Sequence, residues 1–368
     1  MKQSSESIAT WIALKMIPNL GNITYKRLLE RFGNPEAVFN AALDDLVEVE
    51  GLRFSTAKSI VSRAWEGDPG KELAKLKKTG ARIIPFFDPS YPRNLREIHD
   101  PPPFLYLKGN DIPINVTVVA VVGSRNPSHY GLKVTEEICQ GLAMSNIVVA
   151  SGMAKGIDAA AHWGCLRGKG STVAILGSGV DVIYPRSNTT LFNTIIRKGS
   201  VITEFPLGTP PEAKNFPIRN RVISGISRGV VVVEASKRSG SLITASLALE
   251  QGREVFAVPG SVASFKSAGT HFLIKQGAKL VENADDILKE LSLAYSHEKK
   301  GDSNEKSTLP FLDEDERRIF EFVSDYPIHI DEIARLSNMD SARVAGMLTG
   351  LELKGAIRQV PGKMFVRM

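Results

Sequence analysis

Residues 215–260 read NFPIRNRVISGISRGVVVVEASKRSGSLITASLALEQGREVFAVPG. At their centre, Gly229-Val230-Val231-Val232-Val233-Glu234 is a β-branched run with the length and composition of a strand buried on both faces. Ser239-Gly240-Ser241 follows, and then Leu242 to Gln251, an Ala- and Leu-rich stretch that predicts a helix. A buried parallel strand, a small-residue turn and a helix N-terminus together make a phosphate site. The turn leaves N–H groups without partners, and the helix dipole adds partial positive charge. Just upstream, Arg219 and Arg221 flank Asn220 on the preceding helix, a pairing that suits phosphate oxygens better than a core.

Working outward, strands and helices alternate from Val116. Val116–Val122, Ile147–Ala150, Thr172–Leu176, Val201–Glu204, Glu254–Val258 and Ala278–Val281 join the central run as strands, with helices of ten or so residues between them. That alternation predicts an α/β fold with a doubly wound, mostly parallel sheet. Such sheets bind ligands at the carboxyl ends of their strands. Four of those ends carry Gly/Ser turns here: Gly123-Ser124, Ser151-Gly152, Gly177-Ser178-Gly179 and Ser239-Gly240-Ser241. Arg125, Lys155, Arg219 and Arg221 lie close to them in sequence. One such turn is weak evidence; four with four cations predict a site for several phosphates at once.

The 368 residues predict two to three domains, and 43% hydrophobic and 23% charged residues are ordinary for a globular protein. Net charge is +2 over 1–80, zero over 81–112, +6 over 113–290, zero over 291–310 and −2 over 311–368. The basic excess therefore sits in the sheet region, where a polyanion should bind. Cys139 and Cys165 fall in apolar helical patterns and read as small core residues. No signal peptide is expected, because Ile8 to Ile17 is short and broken by Lys15, and no apolar run reaches a membrane span. A cytoplasmic location without membrane contact is expected.

Residues 1–80 hold a degenerate repeat. Ile17-Pro18-Asn19-Leu20-Gly21 followed by Tyr25, Leu28 and Leu29 aligns, 32 residues on, with Val49-Glu50-Gly51-Leu52-Arg53 followed by Ala57, Ile60 and Val61. The pattern resembles a helix-hairpin-helix, in which a tight turn presents N–H groups to a phosphate. Each copy keeps one of the two usual glycines, Gly21 or Gly51; packing domain and weak DNA contact both fit. Residues 81–112, rich in X-Pro steps, predict an ordered connector or an edge strand, and 291–310 a polar, flexible linker. Beyond it, three helices over 313–324, 330–336 and 341–353 and a hairpin about Pro361-Gly362-Lys363 predict a winged helix. Its negative balance favours protein docking over DNA reading.

No enzyme constellation emerges. The Walker pattern G-x-x-x-x-G-K-S/T is absent, and the first turn lacks G-x-G-x-x-G. Asp158, at a helix start, and His162 read as structural. Glu234 is a carboxylate that could face a ligand or orient Arg219 or Arg221. No cofactor and no metal site is expected. Among the aromatics near the turns, Tyr130, Tyr184 and Phe216, the last fits a base platform best, in a loop between Asn215 and Pro217.

Taken together, Gly123-Ser124-Arg125, Ser151 to Asp158, Tyr184-Pro185, Phe216 to Arg221 and Glu234-Ala235 with Ser239 to Leu242 resemble the DNA-processing protein A (DprA/Smf) family. Val255 to Gly260 and Gly269-Thr270 with Leu273-Ile274 and Gly277-Ala278 extend the likeness over about 80–285. The resemblance implies a Rossmann-like sheet domain between a small helical N-terminal domain and a C-terminal winged helix. It implies a homodimer formed through the later part of the sheet domain. It also implies binding of incoming single-stranded DNA in natural transformation, and loading of the RecA recombinase onto that strand in the presence of single-strand-binding protein. The DNA pocket so implied comprises Gly123, Ser124, Arg125, Gly152, Lys155, Gly177, Phe216, Arg219, Asn220, Arg221, Ser239, Gly240 and Ser241. One departure is His271, where the family usually has asparagine. The alternative is a nucleotide-processing enzyme of related fold, such as a nucleoside monophosphate phosphoribohydrolase. Those carry PGGxGTxxE, whereas the turn here, Ser239 to Thr244, has no acid at the matching place.

Overall fold

The structure, a computed structural model, describes residues 5–113, 115–292, 313–324 and 326–367. The chain divides into two compact units, Met1–Asn126 with Thr135–Ala294, and Pro127–Val134 with Tyr295–Met368.

The first unit is built on a nine-stranded sheet. Its strands are β1 (Arg82–Pro85), β2 (Phe104–Gly109), β3 (Val118–Gly123), β4 (Val148–Ser151), β5 (Thr172–Ile175), β6 (Ser200–Thr203), β7 (Gly229–Val233), β8 (Glu254–Ala257) and β9 (Lys279–Leu280), in the order β1-β2-β6-β5-β4-β3-β7-β8-β9. The seven strands from β6 to β9 run parallel, and β1 and β2 add an antiparallel edge. The valine run predicted as the central strand is β7, buried at every position. Residues 81–112, expected as a connector or an edge strand, supply the antiparallel pair, with short helical and turn segments between.

The chain lays down β3 to β6 in one direction, then returns to place β7 on the other side of β3. Right-handed crossovers therefore send helices to both faces. The reversal leaves a crevice at the carboxyl ends of β3 and β7, where neighbouring connections diverge.

The N-terminal repeat forms two hairpins. Helices Ser5–Lys15 and Asn22–Phe32 frame the first turn, and Leu43–Val47 and Phe54–Val61 frame the second. Gly51 sits at φ 80°, and Asn19, the residue 32 positions earlier, takes the same left-handed place at φ 59°. Asparagine tolerates that conformation better than most L-residues, which is how the first copy keeps its turn without the glycine. Trp11, Tyr25 and Leu28 belong to one apolar cluster with Phe104, Tyr106 and the strands. The helices are thus packed on the sheet.

The second unit contains helices Glu314–Phe322, Ile330–Ser337 and Ser341–Leu353 with strands β10 (Ile328–His329), β11 (Ile357–Val360) and β12 (Met364–Arg367), ordered β10-β12-β11. Ile319, Ile333, Val344, Leu348 and Ile357 form its core. This is the expected winged helix with one extra short strand. The expected linker, from 293 onward, lies outside the described residues. Among the described residues no helix is long and apolar enough to cross a membrane.

Candidate nucleic-acid interface

A cavity of about 650 Å³ opens at the switch point, lined by Gly123, Arg125, Asp158, Tyr184, Phe216, Arg219, Asn220, Ser239, Gly240, Ser241 and Thr244 among others. A smaller one of about 180 Å³ adjoins it and brings in Gly152, Lys155, Gly177 and Ser178. Turns from all four predicted strand ends thus meet at one rim. The volume of the larger cavity suits a ligand of nucleotide size or more.

Helix Asn215–Ile226 supplies the central side chains. Phe216 was expected in a loop; it lies instead in the first helical turn, where Pro217 is tolerated because that turn's N–H groups have no helical acceptor anyway. Its half-buried ring has the Arg125 guanidinium 5.4 Å from its centroid and the Arg219 guanidinium 5.8 Å away. Tyr184, 44% exposed, places its ring 5.8 Å from that of Phe216. Tyr130 lines neither cavity.

Arg219 is 5% exposed. Its Nη1 donates to the carbonyls of Gly152 and Ile175, at 2.5 Å each, and its Nε donates to Asn220 Oδ1 at 3.2 Å. Burial holds its pKa down at about 10; Asp158 opposes that shift and Arg125 adds to it. The group stays a cation at neutral pH, fixed by backbone oxygens at the ends of β4 and β5. A Cβ on Gly152 would overlap the guanidinium, so only glycine lets the chain come this close.

Two helix N-termini face the larger cavity. Ser239 caps helix Gly240–Glu250, its Oγ accepting from Ser241 N at 3.4 Å and lying 2.7 Å from Ser241 Oγ. Asn220 Nδ2 donates to Gly240 O at 3.5 Å, which ties this turn to the Arg219 helix. Helix Ile157–Arg167 begins beside the cavity, and Asp158 Oδ2 accepts from Ala154 N at 3.3 Å. Burial raises the Asp158 pKa, and the nearby Arg219 charge opposes the rise. Asp158 had a purely structural reading from sequence; it is both a backbone acceptor and part of the cavity wall.

Other expected residues fall elsewhere. Ser124 lines neither cavity: its N–H donates to Val233 O and its Oγ accepts from Asn126 N. Arg221 lines neither cavity and pairs with Glu204 and Asp100. Residues two apart on a helix point roughly 200° apart, so Arg219 and Arg221 face opposite sides rather than gripping together. Glu234 closes β7 as a buried residue at φ 49°. His162 is a core residue, its Nδ1 2.7 Å from Thr172 Oγ1, and burial pushes its pKa down to about 3. His271 Nε2 lies 3.0 Å from Gly260 O. Asn188, which donates to the carbonyls of Met153 and Ala154, went unnoticed in the sequence because nothing local marks it.

A mostly parallel sheet with a switch-point cavity lined by guanidiniums, an aromatic pair and helix N-termini places the chain among the doubly wound α/β proteins. Within that class the chain belongs to the DNA recombination-mediator protein A family, whose sequence model matches residues 82–292. A second model, for the DprA winged helix domain, matches 303–363. Protein Smf of Synechocystis is 34% identical over 98% of both chains. DNA processing protein DprA of Streptococcus pneumoniae is 48% identical over 67% of this chain and 86% of that one. The X-ray structure of that pneumococcal protein superposes with a TM-score of 0.69 at 39% identity, covering 79% of this chain and 99% of that one. The DNA processing protein A of Helicobacter pylori, described for its single-stranded DNA binding mode, superposes with a TM-score of 0.52 at 27% identity over 58% of this chain and 95% of that one.

Proposed function

We propose that this chain binds single-stranded DNA along the carboxyl rim of its sheet and acts as a recombination mediator. In this reading Arg125 and Lys155 take phosphates at the entrance, and Phe216 and Tyr184 offer ring faces to bases. Gly123, Gly152, Gly177 and Ser239-Gly240-Ser241 let the strand approach backbone N–H groups. The observation that carries it is the Phe216 ring with two guanidiniums 5.4 and 5.8 Å from its centroid in a wide cavity. Stacking tolerates any base, and cations hold the backbone, which are the two needs of an unpaired strand.

The reading is of a binder rather than an enzyme. Asp158 is the only carboxylate among the described lining residues, and it is occupied by Ala154 N. The mediator role extends to protecting incoming DNA in natural transformation. It includes loading RecA onto strands coated with single-strand-binding protein, as a cytoplasmic homodimer. The family's own description as a recombination mediator supports the mediator role itself.

Fluorescence anisotropy with labelled oligothymidine at two salt concentrations tests the binding. Arg125→Ala should weaken it by about 1–2 kcal/mol, as expected for a lost charge-assisted contact, and flatten the salt dependence. Unchanged affinity and slope would reject the rim. RecA filament formation on protein-coated strands, with and without this chain, tests the loading step.

A further inference from the structure

Arg221 is excluded from the cavity, yet its charge is buried by design rather than by accident. Its Nη2 donates to Glu204 Oε2 at 2.5 Å, its Nη1 donates to Asp100 O at 2.6 Å, and both acid and base side chains of the Glu204 pair are 9% exposed. Glu204 directly follows β6, at the start of the segment that leads to helix Asn215–Ile226. The same Oε2 accepts from Asn22 Nδ2 at 3.4 Å, and Asn22 Oδ1 accepts from Lys15 Nζ. Lys15 and Asn22 bracket the first N-terminal hairpin turn, ending one helix and beginning the next. The side chains that bracket the turn therefore lead to a carboxylate of the same chain, while Asn19 and Gly21 within it stay exposed.

A second strut lies close by. Glu72, on helix Pro69–Thr79, is buried and accepts from Leu207 N at 2.7 Å. Two N-terminal elements thus hold the short stretch Glu204–Leu207. Through Arg221 the first of them also holds the helix that carries Phe216 and Arg219. Burial lowers the Lys15 pKa and raises that of Glu204, each opposed by the partner's charge. Glu204 Oε1 is buried without a hydrogen-bond partner. A carboxylate left half-satisfied in the interior is costly unless its other contacts are strong.

We infer that the N-terminal hairpin is a positioning element for the nucleic-acid helix, acting through Glu204 and Arg221 as a buried clasp. It rests on the proposed binding role of that helix. The flanks of the first hairpin, Lys15 and Asn22, are then committed to an intramolecular partner. The clasp sets the angle at which helix Asn215–Ile226 presents Phe216 and Arg219 to the rim.

The test uses the full chain with labelled oligothymidine and amide hydrogen exchange side by side. Lys15→Met and Glu204→Gln are expected to speed exchange in Asn215–Ile226 and to weaken oligothymidine binding by about tenfold, while the chain remains folded. Arg221→Lys should bind at least about threefold tighter than Arg221→Met, because it keeps a charge on Glu204 whereas a packing role would treat the two alike. If Glu204→Gln does not fold, Lys15→Met and Asn22→Ala decide alone. Parental exchange in those two variants overturns the inference; so does faster exchange with parental affinity. A parent chain that fails to bind oligothymidine would instead remove the functional reading, and the exchange data would still judge the clasp.

Discussion

The rim of the sheet and the C-terminal winged helix both carry cations, but they use them differently. Residues 311–368 hold eight Lys and Arg, more than the rim turns do. Three of them sit beside carboxylates, Arg343 with Asp315, Lys354 with Glu316 and Arg335 with Glu332, while the exposed Arg317, Arg318, Arg358 and Lys363 form no ion pair among the described residues. The third helix, Ser341–Leu353, is capped by Asp340, whose carboxylate accepts from Ala342 N and Arg343 N. A carboxylate thus already sits where a phosphate would bind. At the rim, helix Gly240–Glu250 is capped by neutral Ser239, and among the described residues Arg125 and Lys155 form no ion pair, although Asp158 shares the cavity wall with Arg125. A count of positive residues does not make a polyanion site. The contrast is sharpest at one pair of helix ends: the third helix of the winged unit has an acidic cap, and helix Gly240–Glu250 a neutral one.

This contrast can be broken at either end. The largest effect should come from Arg219→Ala, which removes a cation held by two carbonyls: oligothymidine binding should fall by about 2–3 kcal/mol, with part of that loss reproduced by Gly152→Ala through displacement of the guanidinium. Parental affinity in both would mean that the rim's buried cation is only structural. Beneath the rim, His162 offers a pH handle. The unfolded chain takes up its proton near pH 6.5, whereas the folded chain resists protonation down to about 3. Stability should therefore drop as pH falls below 6.5, with His162 contributing a slope of about 1.4 kcal/mol per pH unit. Urea unfolding between pH 4.5 and 6.5 should show that slope reduced by one proton in His162→Gln; an unchanged slope would place the titration elsewhere. The smallest effect belongs to the winged helix. Arg343→Ala and Lys354→Ala should alter affinity for single or double strands by less than about 0.5 kcal/mol, since both cations are already paired. A tenfold loss in either would erase the distinction drawn between the two regions.

Much of the sheet unit was legible from residue types. The valine run of β7 and the Gly/Ser turns after β3, β4, β5 and β7 are local features, and local sequence specifies them. The antiparallel edge was less so. Proline-flanked runs such as Phe104 to Leu107 pair with β1, and that pair joins the main sheet only when β6 is placed beside β2. Phe216 was read one element wrong, because Pro217 looks like loop punctuation although the first helical turn accepts it.

By itself the sequence determined a parallel α/β sheet with a cationic, glycine-rich rim, because strand burial and turn chemistry are written in adjacent residues. Only the tertiary structure decided that Arg219 reaches the cavity while Arg221, two positions away, is turned to Glu204 and the N-terminal hairpin. The physical reason is helical phase joined to long-range contact. A helix separates neighbours by about 100° per residue, and what waits on each side comes from parts of the chain far away in sequence.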